Sequence, residues 1–132
     1  IQNAAEVFNP NIAKVTVDEQ GFALYFSRSP IPFYRDEWKN IYPGGAADAV
    51  FSLGNAVLYK HIGLYAYTKS FLMDFARLPQ SRLEDVEKLE QLRILENRIP
   101  LKVLETQEDS IGVDCMADLD KVERLIVERK QV

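Results

Sequence analysis

A chain of 132 residues, 47% hydrophobic and 27% charged, is long enough for one modest domain with its own core. Its net charge of −4 argues against a nucleic-acid partner, and no apolar run approaches the roughly 20 residues that cross a bilayer. A single cysteine, Cys115, excludes an internal disulfide and a multi-cysteine zinc site and suits a reducing compartment. The opening IQNAAEVFNPN carries neither the basic nor the apolar stretch of a signal peptide. The expectation is a soluble, cytoplasmic α/β domain.

In chain order, Ile12 to Asp18 reads as a first strand, rich in β-branched residues. Glu19-Gln20-Gly21 connects it to a second at Phe22 to Phe26, in which Phe22, Leu24 and Phe26 alternate with Ala23 and Tyr25. So short a connection predicts a β-hairpin. The next residues, Ser27-Arg28-Ser29, break the strand, and Pro30 and Pro32 stiffen the chain beyond it. This predicts a rigid, non-helical arm with Arg28 at one end and Arg35 at the other. Glu37 to Asn55, centred on Pro43-Gly44-Gly45, is long for a connection and reads as a lid or a variable insertion, with Trp38 and Tyr42 as its anchors.

Lys60 to Thr68 alternates Ile62, Leu64 and Ala66 against Gly63, Tyr65 and Tyr67, which predicts a half-buried strand. Ser70 to Arg77 reads as a short helix stopped by Leu78-Pro79. Ser81 with Glu84 forms a capping box for a longer helix reaching Asn97. Leu101 to Thr106 and Ile111 to Val113 are further strands, and Ala117 to Arg129 is a closing amphipathic helix whose stripe includes Leu119, Val122 and Ile126. The order ends like an open α/β sheet but does not begin with a strand feeding a phosphate loop, and neither GxGxxG nor GxxxxGK[ST] occurs. The expectation is the second half of a larger domain.

Four places depart from packing. Arg28 and Arg35 offer two donor forks on a stiff backbone, suited to a carboxylate or phosphate, or else they are solvated turn residues. His61, Gly63 and Tyr65 alternate onto one side of their strand. There Gly63 lets a ligand approach, although a lone histidine is commonly just a satisfied strand end. Within the capped helix, Glu90 falls among Leu83, Val86 and Ile94 at about 100° per residue, with Gln91 at the stripe's edge. Either something pairs with Glu90 or it marks the stripe's boundary and points to solvent. Asp114 precedes the last helix, as a Mg²⁺ ligand or as a plain N-cap. No serine or cysteine stands near His61 to suggest a hydrolytic triad.

Four stretches, ALYFSRSPIPFYRD, KHIGLYAY, LEDVEKLEQLR and SIGVDCMADLDKVE, together resemble one family. It is the cytidylyltransferases that activate 3-deoxy-D-manno-octulosonate (Kdo), the CMP-Kdo synthetases. The resemblance covers the C-terminal half of that single domain, without the strand and basic loop that bind CTP. It implies the C-terminal portion of a Rossmann-like nucleotidyltransferase fold with a mixed sheet, and transfer of CMP from CTP to Kdo in lipopolysaccharide biosynthesis. It also implies Mg²⁺ as cofactor, a homodimer, and no nucleic-acid or membrane partner.

By position, Arg28 and Arg35 match arginines of the Kdo site, His61, Gly63 and Tyr65 the sugar-contacting strand, and Glu90 and Gln91 a pair that binds sugar hydroxyls. Asp114 matches the C-terminal metal-binding aspartate. Cys115, Met116 and Ala117 stand where the family usually has threonine, proline and glutamate, which weakens the helix entry. The Glu37 to Asn55 segment is longer than is typical. The alternatives are CMP transfer to sialic acid or an amino analogue of Kdo, or a non-catalytic piece serving dimerisation or sugar binding. The chain by itself is expected not to turn over CTP.

Overall fold

The hairpin forms where the sequence places it. In a computed structural model that describes residues 1, 4–38, 57–108, 112–113 and 116–129, β1 (Lys14–Val17) pairs antiparallel with β2 (Ala23–Ser27). The turn is closed by Asp18, whose side chain accepts from the amides of Gln20 and Phe22 at 2.9 and 2.8 Å. Gly21 completes it at φ +77°, a conformation that favours glycine.

The alternation in β2 is not the expected one. Thr16 lies opposite Tyr25 but Val17 lies opposite Ala23, so Leu24 is the extra residue of a bulge. Leu24 is therefore 61% exposed, while Ala23 and Phe26 both reach the core. The short β3 (Tyr59–Lys60) adds to the other side of β1, giving the antiparallel order β2-β1-β3. Beyond β2, Phe22 bridges Lys102, with Ala23 N–H donating to the Leu101 carbonyl (2.8 Å) and Val103 N–H to that of Gly21 (2.9 Å). Only this bridge remains of the expected strand at Leu101 to Thr106.

The strand expected over Lys60 to Thr68 also stops early. One more bond, His61 N–H to the Ala13 carbonyl at 2.9 Å, continues β3 before β1 runs out into the turn in which Ile12 N–H bonds the Asn9 carbonyl. Residues 62–68 join no ladder among the described residues, and Leu64 is 86% exposed.

Of the helices, α1 (Ala4–Phe8) leads into the sheet and α2 (Arg35–Trp38) follows the proline arm, so Arg35 opens a helical turn instead of ending an extended segment. Helix α3 (Lys69–Phe75) is capped by Thr68, whose Oγ1 accepts from Phe71 N–H. The capping box at Ser81 and Glu84 is present, but the long helix expected after it is two: α4 (Arg82–Glu87) and α5 (Gln91–Glu96), separated by Lys88 at φ 54°. The closing helix is α6 (Met116–Arg129). It leaves Leu119 and Ile126 of the expected stripe exposed.

The core between the hairpin and α5 gathers Ala13, Val15, Ala23, Phe26, Leu89 and Leu92. A second cluster of Val7, Trp38 and Leu58 packs with Phe8 and Tyr34, so Trp38 is an anchor as expected, whereas Tyr42 and most of Glu37 to Asn55 lie outside the described residues. Among the described residues no helix is long and apolar enough to cross a membrane.

Candidate active site

The proline arm is rooted in a knot of charged groups at Arg28. The Glu87 carboxylate accepts from Ser27 Oγ at 2.6 Å and from Arg28 N–H at 3.0 Å. Lys14, fully buried, donates Nζ to the carbonyls of Asn9 and Ile12 (2.8 Å each) and Arg28 (2.7 Å). Burial, and secondly the Arg28 charge, push its pKa down, opposed by Glu87. Arg28 donates Nε to the Glu87 carbonyl at 2.8 Å, Nη1 to that of Pro10 at 2.9 Å and Nη2 to that of Lys88 at 3.4 Å. Its fork is thus turned mostly onto main chain. Of its five N–H groups, one on each terminal nitrogen stays available, and no carboxylate neutralises it among the described residues. Arg35, at the far end of the arm, is exposed.

Arg28 also explains the break between α4 and α5. A guanidinium on the carbonyls of Glu87 and Lys88 satisfies acceptors that a continuous helix would have used, and a cation at a helix C-terminus is favourable. The break rotates α5 away from the frame of α4. Val86 is consequently 71% exposed, and Leu89, Leu92 and Ile94 form the buried face in place of the expected Leu83, Val86 and Ile94. Glu90 is exposed at the corner. Next to it Gln91 is only 4% exposed, and its side-chain Nε2 is a buried donor without a hydrogen-bond partner.

His61 and Tyr65 do lie on one side, with Tyr65 Oη 2.7 Å from His61 Nε2. Burial lowers the His61 pKa; burial first, then the charges of Tyr67 and Glu90, raise that of Tyr65. Both are neutral at pH 7, and the tyrosine or the Nε2–H tautomer of the histidine donates. Gly63 is exposed, and a Cβ there would meet nothing within 4 Å, so nothing in this structure requires glycine.

Ring contacts run from Phe26 to His61 (5.2 Å between centroids), Tyr65 (5.5 Å), Tyr67 (5.6 Å) and Phe71 (5.2 Å). Phe75 continues the run, with the Arg93 guanidinium 4.7 Å above its ring. Arg93 in turn makes a two-pronged ion pair with Glu84, one bond being 2.7 Å, while Glu84 also closes the capping box. The Arg93 contact holds the Glu84 carboxyl below its usual value.

The structure thus pairs His61 with Tyr65, sets exposed Glu90 beside buried Gln91 at the α4–α5 corner, and roots the arm that carries Arg35 at Arg28. Asp114 lies outside the described residues, two positions before α6. Among the described residues no group of three His, Cys, Asp or Glu side chains could hold a metal. Sequence reasoning missed Lys14, Glu87 and Arg93. No local pattern marks the first two, and the Glu84–Arg93 spacing of nine residues has no meaning on one continuous helix.

A sequence model described as cytidylyltransferase matches residues 1–108. The 3-deoxy-manno-octulosonate cytidylyltransferase of Geobacter sulfurreducens is 49% identical over 122 residues, covering 92% of this chain and 47% of the relative. That of Thermodesulfovibrio yellowstonii is 48% identical over 126 residues, covering 96% and 46%. A solved structure of CMP:2-keto-3-deoxy-manno-octonic acid synthetase complexed with CTP superposes with a TM-score of 0.77 at 36% identity, over 96% of this chain and 46% of that one. That likeness bears out the α/β nucleotidyltransferase fold, and the chain spans about half the length of the curated relatives it matches. With residues 1–108 inside the family model, and a fold shared with a CTP-bound enzyme, the chain belongs to the cytidylyltransferase family.

Proposed function

We propose that the protein transfers CMP from CTP to Kdo, and that this chain supplies the sugar side of the site. The observation that carries it is the His61–Tyr65 pair, on which the Glu90 charge acts, together with the unpartnered buried amide of Gln91, in a chain so close to enzymes named for that reaction. The anomeric oxygen of Kdo attacks the α-phosphorus of CTP and gives up its proton. The bond from that phosphorus to the bridging oxygen breaks, and pyrophosphate leaves.

The neutral His61–Tyr65 pair and the buried Gln91 amide offer donors to the sugar, and Glu90 accepts from its hydroxyls. Gly63 leaves open space beside them. Arg35, with the spare N–H groups of Arg28, meets the sugar carboxylate or nearby phosphate oxygens. Mg²⁺ would offset charge on the phosphates. A single carboxylate, Asp114, fits a cation that takes one or two carboxylates and completes its shell with phosphate oxygens. The same reading includes a cytoplasmic homodimer that feeds lipopolysaccharide assembly.

The test is product formation by the full-length enzyme with CTP, Mg²⁺ and, in separate arms, Kdo, its amino analogue and sialic acid. CMP-Kdo with pyrophosphate is expected, and absence of CMP-Kdo overturns the proposal. Because Glu90 is exposed, Glu90→Ala is expected to raise the KM for Kdo by about tenfold or more with little change in Tm. Asp114→Asn is expected to lower Mg²⁺-dependent turnover; an unchanged metal dependence would return Asp114 to the role of helix cap.

A further inference from the structure

Three charged residues meet at the foot of the proline arm, and none of them except Arg28 has a place in the proposed sugar site. We propose that Glu87 and Lys14 are positioning residues, which act through Arg28 to set the α4–α5 corner against the proline arm and so shape the pocket for the acidic sugar. The inference rests on the proposed function, which supplies the pocket.

Every polar group of Arg28 is held from a different direction. Glu87 takes its N–H, Lys14 its carbonyl, and its guanidinium reaches Pro10, Glu87 and Lys88. The bonds to residues 87 and 88 span 59 and 60 positions of sequence and join the end of β2 to the end of α4. On one side of the knot the chain runs into the arm that ends at Arg35. On the other it turns through Lys88 to Glu90 and Gln91, two and three residues on. Both walls therefore share one anchor.

The carboxylate of Glu87 is engaged along β2: one oxygen takes Ser27 Oγ, the other takes Arg28 N–H, and Tyr25 is hydrogen-bonded to the same group. All three Lys14 protons are likewise on carbonyls. Lys14 thus has no donor left for the substrate, and the Glu87 carboxylate is committed to the end of β2, which separates positioning from binding. The knot also sums to one positive charge, two cations against one carboxylate, at the root of a wall meant for an anion. Small displacements of ligand-binding groups cost far more in affinity than in stability when the groups themselves stay intact.

Steady-state kinetics of the full-length enzyme test this. Glu87→Gln, which keeps the shape and removes the charge, is expected to raise the KM for Kdo by about tenfold and to change the KM for CTP by less than about twofold. Combined with Glu90→Ala, it should give much less than the product of the two single effects, because both act on one corner. Ser27→Ala removes one Glu87 contact together with the bond that Ser27 Oγ accepts from Ser29 N–H, keeps the core volume, and should shift the Kdo KM the same way by about threefold; it carries the test should Glu87→Gln fail to fold. Parallel shifts in both KM values, or effects that multiply, would mean a merely structural knot and overturn the inference. A wild-type enzyme that makes CMP-Kdo while the variants keep its sugar KM overturns this inference alone. A wild type that makes none overturns the proposed function and the inference with it.

Discussion

His61 and Glu84 tie the molecule to pH in two separate windows, both with the same sign. Burial lowers the folded pKa of His61 below its ordinary 6.5. As pH falls through that value the unfolded chain takes up a proton that the folded one refuses, so stability drops. Glu84, held below 4.5 by Arg93, contributes stability that is complete above 4.5 and lost as pH falls through the depressed folded value. Tm is therefore expected to fall in two stages on acidification. His61→Gln should remove the first stage, and Glu84→Gln the second after an initial loss of about 3 kcal/mol for the unpaired Arg93. Thermal melts from pH 8 to 3 check this, and a variant that keeps the full wild-type slope in its window sinks the assignment. The lone lysine on β1 follows another rule: Lys14 stays buried because three carbonyls surround it, and that geometry leaves no trace in a strand reading KVTV.

Elements with local causes were legible in the sequence. The hairpin follows from its short connection, the start of α4 from S-x-x-E, and α6 from its stripe, to within a residue of the expected boundary. The corner after α4 was not legible, because no glycine, proline or asparagine marks it. Lys88 adopts the left-handed conformation, and what holds its carbonyl is an arginine 60 positions earlier. The same long-range cause hid part of the site. His61 and Tyr65 meet as expected although the strand whose alternation suggested it stops at Lys60, whereas the expected stripe around Glu90 assumed a continuous helix and so chose Val86 where Leu89 and Leu92 are buried. Since Lys88 bears the steric cost of φ 54° for a residue with a Cβ, Lys88→Gly is expected to stabilise the fold by about 1 kcal/mol, as read by urea denaturation. A loss of similar size would show that its contact with Asp85 outweighs the backbone strain.

At the scale of the whole molecule, the described residues hold two small cores and a large uncovered apolar surface. Leu64, Val86, Leu104 and Met116 all stand in solvent, more than a self-sufficient domain of this size usually exposes together. Relatives about twice as long suit such a surface, since area shed against further chain is what a larger domain gains. The arrangement also explains why composition was uninformative: 47% hydrophobic residues are an ordinary value whether their partners lie in the same stretch of chain or beyond it.

The position of Trp38 has a spectroscopic consequence. It is the sole tryptophan, fully buried, with Tyr34 and Phe33 rings 5.3 and 5.7 Å away. Its cluster has three buried members among the described residues, against six in the core under the hairpin. Intrinsic emission therefore observes the proline arm and not the main core, and sits three residues from Arg35. Fluorescence should lose its native signal at a lower urea concentration than far-ultraviolet dichroism, and a sugar that docks on the arm should raise the first midpoint without needing any turnover. Coincident midpoints would join the two clusters into a single cooperative unit.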